Sequence, residues 1–420
     1  MHTLTTLDNG LRLITSEMPH TRSVSIVFFI GAGVCYETDN EAGISHFIEH
    51  LCFKGTKRRQ SSKEISEAIE SVGGVLNGAT DKELTVVWCK VASQHLNRAL
   101  DVLTDLLRNS RFGMKDINRE RQVIIEEINM SLDSPQQRVD MLIDELLWYG
   151  QPLGRDSAGK KDSVLCLTRS QIVKYFRKHY LPNNIVVSVA GNIEQKKVGD
   201  LIRRYLGNWE PSALPQRFST STKQKMPGVR VEIRDTEQVN LCLGVHGPSL
   251  LHPDRFAVDL LSIVLGEGMS SRLFIEIREN QGLAYDIGTC TAHFIDSGAF
   301  YVIAGVDPKR LNDVLSSIIG QFSRIRDGVT KKELSKAKEL AKGRLLLALE
   351  DSRIVANWFG AQEMLNGRIL TVDEVISLID SITIEDLRRV AQQLFISEKL
   401  NLAVVGPVEQ KRELAKILKL

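Results

Sequence analysis

The chain has 420 residues, of which 43% are hydrophobic, 25% charged and 6% aromatic. That profile belongs to a folded globular protein and excludes disordered, collagen-like and disulfide-scaffold classes. With 54 Lys and Arg against 52 Asp and Glu, the net charge is only +2. Such a balance gives no general attraction to nucleic acid or a membrane surface; only a localised basic patch could.

Before Arg12 there is no Lys or Arg and no apolar core, so the beginning of the chain does not read as a signal peptide or transit peptide. The apolar stretches from Ile26 to Ile30 and from Ile185 to Ala190 are strand-sized, well short of the roughly 18 residues of a membrane helix. Six cysteines form no CxxC and read as reduced thiols. These features predict a cytoplasmic protein with no membrane or nucleic-acid partner.

In chain order, the first strong element is a strand from Val24 to Ile30. Next comes Gly43-Ile-Ser-His46-Phe-Ile-Glu49-His50-Leu-Cys-Phe-Lys-Gly55, predicted as a helix over 41–54 with Asn40 as N-cap and Gly55 as the stop. On a helix, positions 0, +3 and +4 fall at about 0°, 300° and 40°, so His46, Glu49 and His50 share one face. Two imidazoles one turn apart can share a zinc ion, and a carboxylate between them can act as general base towards the water it activates. The order His-x-x-Glu-His is the inverzincin motif. Cys52 points away from this face and reads as a core thiol.

Strands follow near Leu76 to Thr80 and from Leu84 to Val91. The helix from about Lys115 to Leu132 carries Glu120 and Glu127 within its apolar stripe, Ile117, Val123, Ile124 and Ile128, while Arg119 and Glu126 face solvent. Burying carboxylates is costly unless a cation accompanies them. One of the two can therefore complete a metal site and the other assist; periodicity does not rank them. His95, His179, His246, His252 and His293 have no second ligand at metal spacing and read as surface or satisfied core residues.

Segments of the first half return later. Asn184 to Glu194 resembles Leu400 to Glu409, Leu167 to Ile172 resembles Ile382 to Leu387, and Val91 to Leu100 resembles Val306 to Leu315, all at an offset of 215 residues. The helix around 115–130 returns around 331–346. This predicts a tandem duplication in an α+β class, with two homologous α/β-sandwich domains at 1–210 and 228–420 and a linker at 211–227. No GxGxxG or P-loop supports nucleotide binding. The second half lacks His-x-x-Glu-His, and Arg344 stands about where the repeat would put Glu127.

From Leu7-Asp-Asn-Gly-Leu-Arg12 through the histidine motif and Phe53-Lys-Gly-Thr56 to Met269-Ser-Ser-Arg-Leu-Phe274, the chain resembles the pitrilysin-type metallopeptidases. The likeness is closest to the branch of mitochondrial processing peptidase and its small bacterial relatives. In that family a glutamate ligand follows the motif after about 76 residues, and 76 residues separate His50 from Glu127. The resemblance therefore implies one Zn²⁺ per chain on His46, His50 and Glu127, Glu49 as base and Glu120 as the assisting acid. It also implies that extended peptide substrates pair with the strand at Asn77, Gly78, Ala79 and Thr80, where Gly78 and Ala79 depart from the family's usual residues. Arg278 and Tyr285 match residues that reach the active site from the second half to hold the substrate carbonyl and stabilise the oxyanion. A clam-like arrangement of the halves, a homodimer and a bacterial cytoplasm complete the expectation. The alternative is a non-catalytic scaffold or recognition subunit, although those typically have a broken metal motif.

Overall fold

The computed structural model describes residues 2–408 and 411–420; Glu409, which enters the repeat above, lies outside them. Two compact units form. One contains residues up to 129, 156–218 and 347–369; the other contains 130–155, 219–346 and the chain from 370 on.

The first unit is built on strands β1 (Thr3–Thr6), β2 (Arg12–Glu17), β3 (Ser23–Ile30), β4 (Val75–Thr80), β5 (Thr85–Ala92) and β6 (Ile185–Gly191), in the order β1-β2-β6-β3-β5-β4. Only β2 and β6 run parallel. The second unit has β7 (Gly228–Ile233), β8 (Val239–His246), β9 (Ala284–His293), β10 (Gly298–Val306) and β11 (Asn401–Gly406), in the order β7-β11-β8-β10-β9. Here only β7 and β11 are parallel. The second sheet thus repeats β2-β6-β3-β5-β4 pairing by pairing, and β1 is an addition at the first sheet's edge. This is the duplicated α+β architecture that the 215-residue offset implies.

The unbroken apolar run in β3 has a reason. Val24, Ile26, Val27, Phe28 and Ile30 are all fully buried, because both faces of the strand are covered. On one face Val27 and Phe29 meet Val355, Ala356 and Phe359 of the helix Ser352–Asn366. That helix comes from the second half of the chain. Arg12 Nη1 to Glu363 Oε1 at 3.1 Å and Lys90 Nζ to Asp351 Oδ2 at 2.7 Å tie it down, and Ser25 and Ser352 hydroxyls meet at 2.9 Å.

Its counterpart in the repeat, the helix Pro135–Leu147, makes the reverse exchange and packs on β8 and β11 of the second unit. Gly244 of β8 lies beneath it; a Cβ there would stand 2.9 Å from Ile143. The compact units therefore depart from the sequence bounds 1–210 and 228–420 by two exchanged segments. Both helices are amphipathic, and amphipathicity specifies an apolar face without specifying the sheet it meets. The boundary at 218/219 falls inside the expected linker. That linker has no regular structure yet is anchored to the first unit, where Arg217 pairs with Glu83 at 2.7 Å and Phe218 N–H donates to Cys35 O at 2.8 Å. Among the described residues no helix is long and apolar enough to cross a membrane.

The exchange makes a testable demand at Gly360, whose Cβ position is occupied by the Phe29 ring. Gly360→Val forces this core apart and should cost about 1–3 kcal/mol, read as a lower urea midpoint with an unchanged slope.

Candidate metal centre

The motif helix runs Ile44–Cys52, shorter than the expected 41–54. Asn40 is not its N-cap: Asp39–Glu41 forms a separate 3-10 turn. Gly43 occupies the cap position with φ 90°, and a Cβ there would stand 2.5 Å from Ala158 O. A glycine cannot cap with a side chain, so the orphan amides of the first turn need another acceptor. Fully buried Glu37 supplies it, accepting from Gly43 N–H and Ser45 N–H at 2.9 Å each. Ser45 Oγ also meets Tyr175 OH at 2.9 Å. At the other end Phe53 N–H closes on His50 O, and Gly55 lies two residues beyond the cap.

Held this way, His46 and His50 present edge-to-face rings, with Nε2 atoms 3.2 Å apart. Glu127, on the helix Met114–Asp133, brings Oε2 to 3.8 Å from His46 Nε2 and 3.6 Å from His50 Nε2. Donors about 2.0–2.1 Å from a tetrahedral centre stand roughly 3.4 Å from one another. The three atoms therefore have the spacing a zinc ion needs, and among the described residues they are the set that can hold one. His46 Nδ1 is buried without a hydrogen-bond partner among the described residues.

Glu120 takes a different place. It is 1% exposed, and its Oε2 stands 3.3 Å from His50 Nδ1 and 3.0 Å from Lys54 Nζ. A carboxylate behind a ligating imidazole fixes its tautomer and ring angle. The geometry thus separates two acids that periodicity left equal: Glu127 faces the donor cluster, and Glu120 stands behind His50. Val123, expected in the buried stripe, is 40% exposed.

Without an ion, burial and the neighbouring His50 push His46 down to about 4, so it is a neutral donor near pH 7. Burial would lower His50 too, but the bond to Glu120 and the carboxylates of Glu127 and Glu49 outweigh it and raise its value. For Glu120, hydrogen bonds from His50 and Lys54 overcome burial and keep it below the usual carboxylate range. Burial raises Glu49, against the opposing pull of His50 and Thr80.

Glu49 is buried beside edge strand β4. Thr80 Oγ1 donates to its Oε2 at 3.0 Å, and a Cβ on Gly78 would stand 2.8 Å from its Oε1. Gly78 is therefore the clearance that lets this carboxylate lie against the strand. Asn77 and Ala79 are exposed, and Asn77 Oδ1 accepts from Gly78 N–H at 2.8 Å. Arg278 and Tyr285 belong to the second unit. Arg278 lies exposed on the π-helix Phe274–Asn280, its guanidinium 4.8 Å from the Phe274 ring, and Tyr285 is 80% exposed at the start of β9. Arg344 is ion-paired with Glu267. Cys52 is fully buried, and burial drives its thiol up to about 12.

Sequence reasoning missed Glu37, Lys54 and the Thr80–Glu49 bond. Glu37 precedes His46 by nine residues across an irregular segment, and Lys54 lies just past its helix; neither position carries a periodic signal.

Two imidazoles and one carboxylate around a common point, with a buried acid alongside, have the chemistry of a metal-dependent hydrolase. Residues 12–161 match the family model described as Insulinase (Peptidase family M16), and residues 167–340 match Peptidase M16 inactive domain. The chain is 35% identical over 420 residues to a Mycobacterium leprae protein named an uncharacterized zinc protease, covering 99% of this chain and 94% of that one. It is 34% identical over 407 residues to the Bacillus subtilis protein named uncharacterized zinc protease YmxG, covering 96% and 97%. A solved protease from Helicobacter pylori shares the fold with a TM-score of 0.92 at 25% identity, over 97% of this chain and 99% of that one. The chain belongs to peptidase family M16, the pitrilysin-type metallopeptidases.

Lys54→Met leaves Glu120 buried without its cation and loosens His50. Zinc affinity, measured by competition with a chromophoric chelator, should fall about 10–100-fold.

Proposed function

We propose that the protein is a zinc-dependent endopeptidase cleaving extended or unfolded peptides, working as a homodimer in a bacterial cytoplasm. The observation that carries this reading is the convergence of His46 Nε2, His50 Nε2 and Glu127 Oε2 beside a buried carboxylate and an open strand edge. The zinc that these three atoms would hold supplies Lewis-acid polarisation of a carbonyl and of water.

The protein's own residues do the rest. Thr80 engages Glu49 Oε2, leaving Oε1 to take a proton from the attacking water and pass it to the departing amine. Burial raises Glu49, which suits a group that must both accept and release a proton near neutral pH. The edge of β4 can take an extended peptide as one more strand through backbone N–H and C=O groups, once the Asn77 side chain gives up Gly78 N–H. Arg278 and Tyr285 are assigned the substrate carbonyl and the oxyanion from the family resemblance. Glu120 and Lys54 act through His50 and are positioning residues.

Purified protein should hold about one zinc per chain by elemental analysis and cut unstructured peptides until chelated. Glu49→Gln should keep the metal while kcat drops about 10²–10⁴-fold, whereas Glu127→Ala should lose the metal. Cleavage by Glu49→Gln at the parent rate would sink the mechanism; full zinc in a His46→Ala, His50→Ala double variant would sink the site. Gly78→Val should displace Glu49 and lower kcat on the order of 10²-fold with zinc content unchanged.

A further inference from the structure

A hollow of about 510 Å³ in the first unit is lined by Lys57, Arg108, Arg111, Arg169 and Arg177, and no Asp or Glu lines it. A second hollow shares Arg169 and Arg177 and adds Lys174. Five cations in one cavity exceed the net charge of the whole chain, +2. Like charges at the surface repel, and their usual remedy is an interleaved carboxylate. Next to the hollow that remedy is in use: Arg58 and Arg59 pair with Asp101 and Asp105 at 2.5–2.7 Å.

Inside the hollow the chain satisfies the guanidiniums with neutral oxygens instead. Arg108 Nη1 donates to Tyr205 O at 3.0 Å and Asn208 Oδ1 at 2.8 Å, and its guanidinium stands over the Trp209 ring. Arg111 Nη2 donates to Gln60 O at 2.6 Å, and Arg169 Nε to Phe112 O at 2.8 Å. Lys57 and Arg177 form no ion pair among the described residues and are exposed. These bonds fix where the guanidiniums stand without cancelling charge. The result is a preorganised field with one sign, lying over a floor that includes Phe112, Phe176 and Tyr180.

We propose that this hollow binds a ligand with clustered phosphates, of about the size of a nucleotide. Four of the five cations are arginines, whose planar forks match phosphate oxygens bidentately. A ligand with several phosphates supplies the charge that a single carboxylate would not. The near-neutral balance of the chain gives no hint of this, because the cations gather in space from three separate segments, at 57, 108–111 and 169–177.

Binding of inorganic tripolyphosphate, ATP and a ten-residue oligoribonucleotide to the full chain separates free phosphates, a nucleotide and a nucleic-acid backbone. At least one probe should bind with a Kd on the order of micromolar in 50 mM salt and weaken as salt rises. The tightest of the three identifies the source. The variant Lys57→Ser, Arg177→Ser alters only exposed side chains; it should lose about tenfold or more in affinity at an unchanged Tm, and the oligonucleotide's log–log salt slope should flatten by about 0.7 per cation removed. Peptidase kcat of this variant without the probe should equal the parent's. No binding by any probe, binding unaltered in the double variant, or equal affinity for a polyglutamate peptide would overturn the proposal.

Discussion

The candidate centre rests on one buried carboxylate, Glu37, at the end of the motif helix where it caps amides and is not a ligand. The motif helix has nine residues and begins at a glycine, so its first amides would be orphaned inside the protein. Glu37 takes two of them, and the helix macrodipole favours a negative charge at that end. The histidines are therefore mounted on a short rod clamped at its base. Glycine at 43 is needed because the backbone at Ala158 approaches too closely for any Cβ.

From that rod the remaining positions follow as a nested set. The donor atoms sit at the open side, Glu120 and Lys54 brace His50 from behind, and Thr80 braces Glu49 from the sheet edge. Each brace fixes an orientation that a bare helix would leave to rotamer freedom. The same carboxyl chemistry serves three purposes here. Glu37 is an acceptor for backbone, Glu120 is a counter-charge, and Glu49 is a carboxylate whose hold on a proton is strengthened by burial.

Much of this was legible in the residues alone. The pattern His46-x-x-Glu49-His50 needs only helical geometry to show three side chains on one face, and the 215-residue offset becomes two sheets with the same pairing order. The family resemblance singled out Glu127, and Glu127 faces both imidazoles. What stayed hidden shares a physical character. Glu37 works through a loop, Lys54 through a contact made after its helix has ended, and the cationic hollow through segments brought together only by folding. The exchange of Pro135–Leu147 and Ser352–Asn366 was invisible for another reason: an apolar helix face is equally content against either of two homologous sheets.

That exchange bears on how such a chain could arise. Each sheet is completed by a helix encoded in the other half, so a single half leaves Val27 and Phe29, or Gly244 and its neighbours, facing water. Halves cut apart at the linker would still need each other as partners. Two sheets of one pairing order, each covered by the other half's helix, have the same arrangement as a domain-swapped pair carried on a single chain. Joined on one chain, two copies need not stay alike, and among the described residues the group of side chains with metal-ligand spacing lies in the first unit.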